Sequence, residues 1–476
     1  MLPSILSHEI RESTRRFLIG AYEPSDAFFH GVMRRFVEAD DGLAKGPYLQ
    51  LGLPFRPGSV GVDFFGGFQL PFRGHRHQEA AWERLASDRG AVNTLVATGT
   101  GSGKTECFLF PVLDHCARAR QEGQRGIKAL VIYPMNALAA DQARRFAEVV
   151  ASTPAFRALR VGMYVGGGDG KPGAGTVMTA ESVITDRDTL RKAPPDVLLT
   201  NYKMLDYLLI RPRDRTLWAE NGPQTLRYVV VDELHTFDGA QGTDLAMLLR
   251  RLRARLQTPD DALICAGTSA TLGDGDTRAL REYAGQIFGG VFAPEAVITE
   301  ARDSVAEFLG GSAVEYVLQD RNDFQTVLDP ARYRSQAQAI AAWFSVFFEG
   351  QTPPHDAKQA QWRVRLGELL KEHLLFHKLL RANEGTVMAW RDLAERLAGP
   401  LPLAARRHVP MVLNAFLALV AWARSPARPD QPLLTLRVQL WMRELRRLVA
   451  SVNADPQRVR LRWSADLRTS SEGVHL

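Results

Sequence analysis

Between about residues 61 and 290 the chain alternates two hydrophobic patterns. Short, mostly apolar runs, 92–96, 129–133, 161–165, 197–200, 228–231 and 263–266, are bounded by turn residues. Stretches with the spacing of amphipathic helices separate them. Consecutive apolar positions, many of them β-branched, predict strands buried on both faces, and their alternation with helices predicts an α/β domain built on a parallel sheet. Residues 1–60 begin with helical spacing over about 10–36 and continue as a Gly/Pro-rich stretch holding GPYL (46–49) and LPFRPG (53–58). They are read as an N-terminal helical arm packed on the next domain. The strand signal fades after about residue 290, so 291–476 is expected to be a mainly α-helical accessory region. Within it Trp441, Leu445, Leu448, Val449 and Val452 share one helical face while Arg443, Arg446 and Arg447 share another, which predicts a helix over 441–452. The interval 166–195, rich in Gly, Asp and Thr, exceeds the ordinary connection length of about 12–15 residues and is expected to be a functional or mobile loop.

Composition narrows the classes. At roughly 100–200 residues per domain, 476 residues make two to four domains. With 45% hydrophobic and 24% charged residues the chain can bury a sizeable core. Fifty-nine basic against 53 acidic residues give +6, which permits a polyanionic partner without demanding one. Cys107, Cys116 and Cys265 stand in no CxxC spacing, which argues against a disulfide framework or a structural zinc site and fits a reducing, cytoplasmic location. His8, Glu9, Arg11 and Glu12 interrupt the place of a signal-peptide core, and runs such as 415–423 fall short of the ~20 residues that span a bilayer, so neither secretion nor a membrane span is expected.

Three segments carry chemistry. TGTGSGKT, 98–105, follows one strand and precedes a helix expected over 106–113. A glycine-rich turn in that setting converges backbone N–H groups on a phosphate chain, with Thr100, Gly101, Ser102 and Gly103 forming the cradle. Lys104 would reach the β- and γ-phosphates and the Thr105 hydroxyl would ligand Mg²⁺. Thr98 stands where this pattern usually has Gly or Ala. YVVVDELH, 228–235, delivers two carboxylates to the carboxyl edge of the sheet, where Asp232 would hold Mg²⁺ through water and Glu233 would orient or deprotonate an attacking water. GTSATLG, 267–273, again follows a strand, and the hydroxyls of Thr268, Ser269 and Thr271 are candidates for coupling the carboxylate site to a neighbouring surface.

The order of these segments, each at a strand end, resembles that of the first RecA-like domain of a superfamily 2 DExH-box helicase, over about residues 61–290. The resemblance implies ATP and Mg²⁺ as cofactors and catalytic roles for Lys104, Asp232 and Glu233. It places Gln78 as an adenine reader, against the alternative of an exposed glutamine on an amphipathic helix. Asn136 and Gln142 in YPMNALAADQ, with Thr200 and Asn201 in TNYKMLD, become candidate nucleic-acid contacts; Thr200 and Asn201 serve equally as helix caps. The arginines at 250, 251, 253 and 255 stand opposite Leu245, Leu248, Leu249, Leu252 and Leu256 and read first as a solvated helix face. GPYL with LPF, TNYKMLDYLLIRP, DELHTFDGAQGTDLAMLLRRL and RVQLWMRELRRLV make the chain similar to large bacterial DEAD/DEAH-box helicases, the group of MrfA-type repair helicases and of Druantia- and DISARM-type phage-defence helicases. In that group a cysteine cluster and a second RecA-like domain follow. Neither is found in these residues, and Arg406-Arg407 and Arg446-Arg447 lie in the wrong context for an arginine finger. The expectation is an RecA-like P-loop domain at 61–290 with a mostly helical accessory domain: half of an ATP-dependent DNA helicase or translocase for phage defence or DNA repair, weakly active alone, acting on DNA with a single-stranded region. The second half would come from a further chain or a missing C-terminal part. The alternative is a non-translocating nucleotide- and nucleic-acid-binding subunit that needs a second chain to complete its ATPase site.

Overall fold

The computed structural model describes residues 2–38, 44–60, 63–99, 101–166, 175–270, 277–353, 356–442, 448–451 and 453–464. The chain divides into two compact units, Phe55–Arg302 and Met1–Pro54 with Asp303–Leu476.

The unit Phe55–Arg302 is organised by seven parallel strands: β1 (Thr94–Ala97), β2 (Ala129–Tyr133), β3 (Val161–Tyr164), β4 (Val197–Asn201), β5 (Tyr228–Val231), β6 (Ile264–Ser269) and β7 (Val297–Thr299). Their order across the sheet is β3-β4-β2-β5-β6-β1-β7. Every β1 residue is buried, and so is every residue of β2, β5 and β6. Successive side chains point to opposite faces: Leu130, Ile132, Val229 and Val231 join one core layer, while Ala129, Val131, Tyr228 and Val230 join the other. Helices close both faces. These are α1 (Arg76–Leu85), α2 (Lys104–Gln121), α3 (Asn136–Ser152), α4 (Arg187–Lys192), α5 (Tyr202–Ile210), α6 (Gly239–Leu256) and α7 (Thr277–Phe288). Leu205, Leu208, Leu245 and Leu249 pack in the first layer; Phe108, Leu109, Val112 and Phe146 pack in the second. This is the α/β class on a parallel sheet that the apolar runs predict, as the resemblance to a RecA-like domain also implied.

Two local readings change. The interval 166–195 holds a helix, α4, whose Asp186 cap accepts from the Thr189 N–H at 2.8 Å, and Ile184 bridges to Gly162. A two-turn helix of polar residues leaves no apolar period to detect. The seventh strand, β7, lies past the residue at which the strand signal fades, because three residues are too few to show a pattern.

The other unit is mainly helical, with its core formed by Gln336–Phe347, Ala360–Lys371, Leu374–Asn383, Trp390–Ala398 and Val409–Trp422. GPYL lies in a strand, Ala44–Gly52, paired antiparallel with Thr435–Met442 and with Met388–Ala389. The helix expected over 441–452 is corrected: Trp441 and Met442 end one strand, and Leu448–Ala450 is another, paired with Leu461–Trp463. Twelve residues can satisfy helical spacing locally, but Trp441 pairs with Lys45, a partner that no local window contains. Arg443, Leu445, Arg446, Arg447 and Val452 lie outside the described residues. Among the described residues no helix is long and apolar enough to cross a membrane.

Candidate functional site

The loops after β1, β2, β4, β5 and β6 meet at the carboxyl edge of the sheet. After β1, Gly101 and Gly103 adopt φ of +82° and +76°, values that favour glycine. A Cβ on Gly103 would clash with the Gln78 amide nitrogen. Helix α2 then starts at Lys104 with no side-chain cap on its first turn, leaving an N-terminus suited to an anion. The departure at Thr98 is put to use: its buried hydroxyl pairs with the Ser102 hydroxyl at 2.7 Å and closes the loop on itself. Thr100 lies outside the described residues.

Gln78 is buried, not exposed. Its Oε1 accepts from the His75 N–H at 2.8 Å and its Nε2 donates to the Gly103 carbonyl at 3.2 Å, so the amide joins the start of α1 to the phosphate loop. Beside it His77 Nε2 lies 2.8 Å from the Ser102 carbonyl, and burial pulls this imidazole below its ordinary pKa. Sequence reasoning missed Glu300, whose Oε2 accepts from the Gly99 N–H at 2.8 Å while Oε1 pairs with Arg302 at 2.7 Å. Burial pushes the Glu300 carboxyl up, but the Arg302 and Gly99 bonds outweigh it and hold the group below its usual value. Glu300 follows the three-residue strand β7, where the sequence carries no recognisable signal.

Strand β5 delivers Asp232 and Glu233 as expected. Thr268, at the end of β6, connects them: its hydroxyl donates to Asp232 Oδ1 and accepts from the Glu233 N–H at 3.0 Å. Burial raises the Asp232 pKa, with the Thr268 bond opposing it. Glu233 has φ of +50°, a left-handed conformation uncommon for a residue with a Cβ. Its Oε1 accepts from Lys104 Nζ at 2.9 Å, and the same ammonium reaches the Ser269 carbonyl at 3.4 Å. His235 Nδ1 lies 3.5 Å from Glu233 Oε2 and 3.4 Å from the Ser269 hydroxyl. Lys104, Asp232, Glu233, Thr268 and Ser269 are thus brought to one place. Thr271 lies outside the described residues.

The four candidate nucleic-acid contacts separate. Asn136 opens α3, donates to the Gly166 carbonyl at 2.8 Å and accepts from Asn201 Nδ2 at 2.5 Å. Asn201 Oδ1 caps α5 through the Met204 N–H at 2.7 Å. Thr200 is fully buried, its hydroxyl on the Tyr164 carbonyl at 2.6 Å. Gln142 stands with the phosphate loop instead: its Oε1 accepts from the Thr105 hydroxyl at 2.9 Å. Of the α6 arginines, Arg250, Arg251 and Arg255 are exposed, as a solvated helix face would have them, while the Arg253 side chain is only 14% exposed. Arg251 and Arg253 pair with Asp206 and Asp260.

The arrangement suits a nucleoside triphosphate with a divalent cation. The phosphate chain would lie on the left-handed glycines and the start of α2, with Lys104 opposing its charge. Among the described residues no group of three or more His, Cys, Asp or Glu side chains is placed to hold a metal. A cation here would take Thr105 and Asp232 together with phosphate and water oxygens, an oxygen-rich set that fits Mg²⁺.

Residues 75–279 match the DEAD/DEAH box helicase family. The chain is 24% identical over 574 aligned positions to the Druantia protein DruE of Escherichia coli, covering 94% of this chain and 30% of that protein. It is 30% identical over 200 residues to the ATP-dependent helicase YprA of Bacillus subtilis, covering 42% of this chain and 23% of that protein. The chain thus spans less than a third of either relative. Among solved structures, the DUF1998 helicase MrfA bound to DNA aligns with a TM-score of 0.37 at 22% identity, over 55% of this chain and 33% of that one. The DEAD-box helicase Mss116 bound to ssRNA and UDP-BeF aligns with a TM-score of 0.39 at 17% identity, over 57% and 49%.

Proposed function

We propose that the chain, whose residues 75–279 match the DEAD/DEAH box helicase family, is the ATP-hydrolysing part of a DNA helicase or translocase serving phage defence or DNA repair. The observation that carries this reading is the 2.9 Å contact between Lys104 and Glu233, which joins the phosphate loop to the strand-end carboxylates across 129 residues of sequence. Similarity to the Druantia protein supports the defence role. Three buried free cysteines suit a reducing compartment such as the cytoplasm.

In the proposed mechanism the N–H groups at the start of α2 bind the triphosphate. Lys104 exchanges its bond to Glu233 for phosphate oxygens, because an anion at a helix N-terminus competes directly for the ammonium. Thr105 and Asp232 would hold Mg²⁺, which would supply positive charge to the phosphoryl group. Glu233, released from Lys104, orients the attacking water and takes its proton. Thr268 keeps the two carboxylates in register throughout. Asn136 and Asn201 contact the backbone of single-stranded DNA at the same sheet edge, and Ser269 with Thr271 communicates between the two sites. These 476 residues form one wall of the ATP site; a second RecA-like domain, from another chain or from further sequence, contributes the transition-state arginine.

The test is calorimetry with Mg·ATP on the intact chain and on Lys104→Ala, with single-stranded DNA titrated at two salt concentrations. The expected result is lost nucleotide affinity in the variant, with DNA affinity falling by on the order of tenfold or more between 50 and 200 mM salt. Hydrolysis by the chain alone should be slow, since lacking a transition-state arginine costs about 10³–10⁵ in rate. Unchanged nucleotide affinity in Lys104→Ala refutes the site, and brisk DNA-stimulated hydrolysis by residues 1–476 refutes the incomplete wall.

A further inference from the structure

We propose that Gln142 is a positioning residue for the cation-binding hydroxyl of Thr105, and that its place in the protein is the nucleotide site, not the nucleic-acid edge. The inference rests on the phosphate-loop reading above and deepens it. A threonine hydroxyl has one proton and two lone pairs. In the structure that proton goes to Gln142 Oε1 at 2.9 Å, which leaves both lone pairs of Thr105 for a cation.

A second link keeps Gln142 where it is. Arg145, on the same face of α3 one turn later, pairs with Glu106 at 2.8 Å and 3.1 Å. Thr105 and Glu106 are consecutive in the first turn of α2, so α3 is keyed to that turn at two adjacent points. The amino end of the same helix carries Asn136, bonded to Asn201. Six residues of helix, roughly 9 Å, separate Asn136 from Gln142. Asn136 and Gln142 therefore lie on one continuous helix.

The experiment measures binding of a fluorescent ATP analogue to the full chain, titrated with Mg²⁺ and repeated in EDTA, for wild type, Gln142→Met and Gln142→Glu. Methionine keeps the side-chain length and packing but has no comparable acceptor. Glutamate keeps an acceptor and cannot present a donor. The expected result is a loss of about three- to tenfold in Mg²⁺-dependent affinity for Gln142→Met, the size of one neutral hydrogen bond. Binding in EDTA, the melting curve and affinity for single-stranded DNA without nucleotide should not move, and Gln142→Glu should restore Mg²⁺ dependence. A Mg²⁺ titration unaltered by methionine overturns the inference, as does a loss that glutamate fails to restore. A variant that loses DNA affinity in place of Mg²⁺ dependence also overturns it and returns Gln142 to the nucleic-acid edge. Each of these leaves the phosphate-loop reading standing; a wild-type chain that binds no nucleotide overturns both.

Discussion

Thr268 shows how much of the site one hydroxyl organises. It is buried, donates to Asp232 and accepts from the Glu233 N–H, so it holds the acidic pair and the left-handed turn at Glu233 together. Thr268→Val keeps the shape and removes both bonds. The buried Asp232 oxygen and the Glu233 N–H then lack a partner, a cost of about 1–3 kcal/mol, and Glu233 loses its fixed position. Chemical denaturation should show that loss of stability, and ATP hydrolysis should fall further than nucleotide affinity. Full activity in this variant would mean that the backbone turn at Glu233 is self-supporting. The hydroxyl segment at 267–273 is visible in the sequence, but the choice of Thr268 over its neighbours is not, since it depends on two strands lying side by side.

At the scale of elements, the sheet is tied at its amino edge by one carboxylate. Asp196, just before β4, pairs with Lys128 at 2.8 Å and with Arg120 at 3.0 Å, and accepts the Arg160 N–H at 2.8 Å. It thereby joins β4 to the end of α2 and to the residues leading into β2 and β3. Lys128 is fully buried. Replacing Asp196 by leucine strands that ammonium without a counter-charge, and about 3–5 kcal/mol of stability should be lost in urea unfolding. Adding Lys128→Met should return part of it, because the uncompensated buried charge is then gone. A double variant less stable than Asp196→Leu would count against this account. No sequence pattern marks this pair, as each residue sits in the turn before a strand and its partners come from other elements.

At the scale of the whole molecule, acid should weaken both units. His115 in the sheet unit and His373 in the helical unit are both held by burial at a pKa of about 4. The folded state refuses a proton that the unfolded chain accepts near pH 6.5, so stability is full above that value and is lost as pH falls toward 4. His373 is fully buried and its Nδ1 accepts from the Leu375 N–H at 3.0 Å, which a protonated ring cannot do. Between pH 7.5 and pH 5 its share of the loss is ~2 kcal/mol. His373→Asn preserves a helix-capping acceptor and does not titrate, so its unfolding free energy should change less over that interval by about the same amount. An identical pH dependence in the variant would show that His373 takes up its proton while folded.

The sequence by itself determines what depends on neighbours in the chain. Val131, Val229 and Val230 sit in apolar runs that only a doubly covered strand accommodates, and the glycines of 98–105 need only their own turn to make a phosphate cradle. Asp232 and Glu233 follow because a strand carries its last residues to its own end. Tertiary structure alone decides what depends on distant parts of the chain. It put Glu300 on the Gly99 N–H, turned Gln142 toward Thr105, paired Asn136 with Asn201, and drew Trp441 out of a plausible helix into a strand beside Lys45. The physical reason is the same in each case. Hydrophobic periodicity records which face of an element is buried, but hydrogen bonds between side chains and the pairing of strands are set by which elements become neighbours after folding.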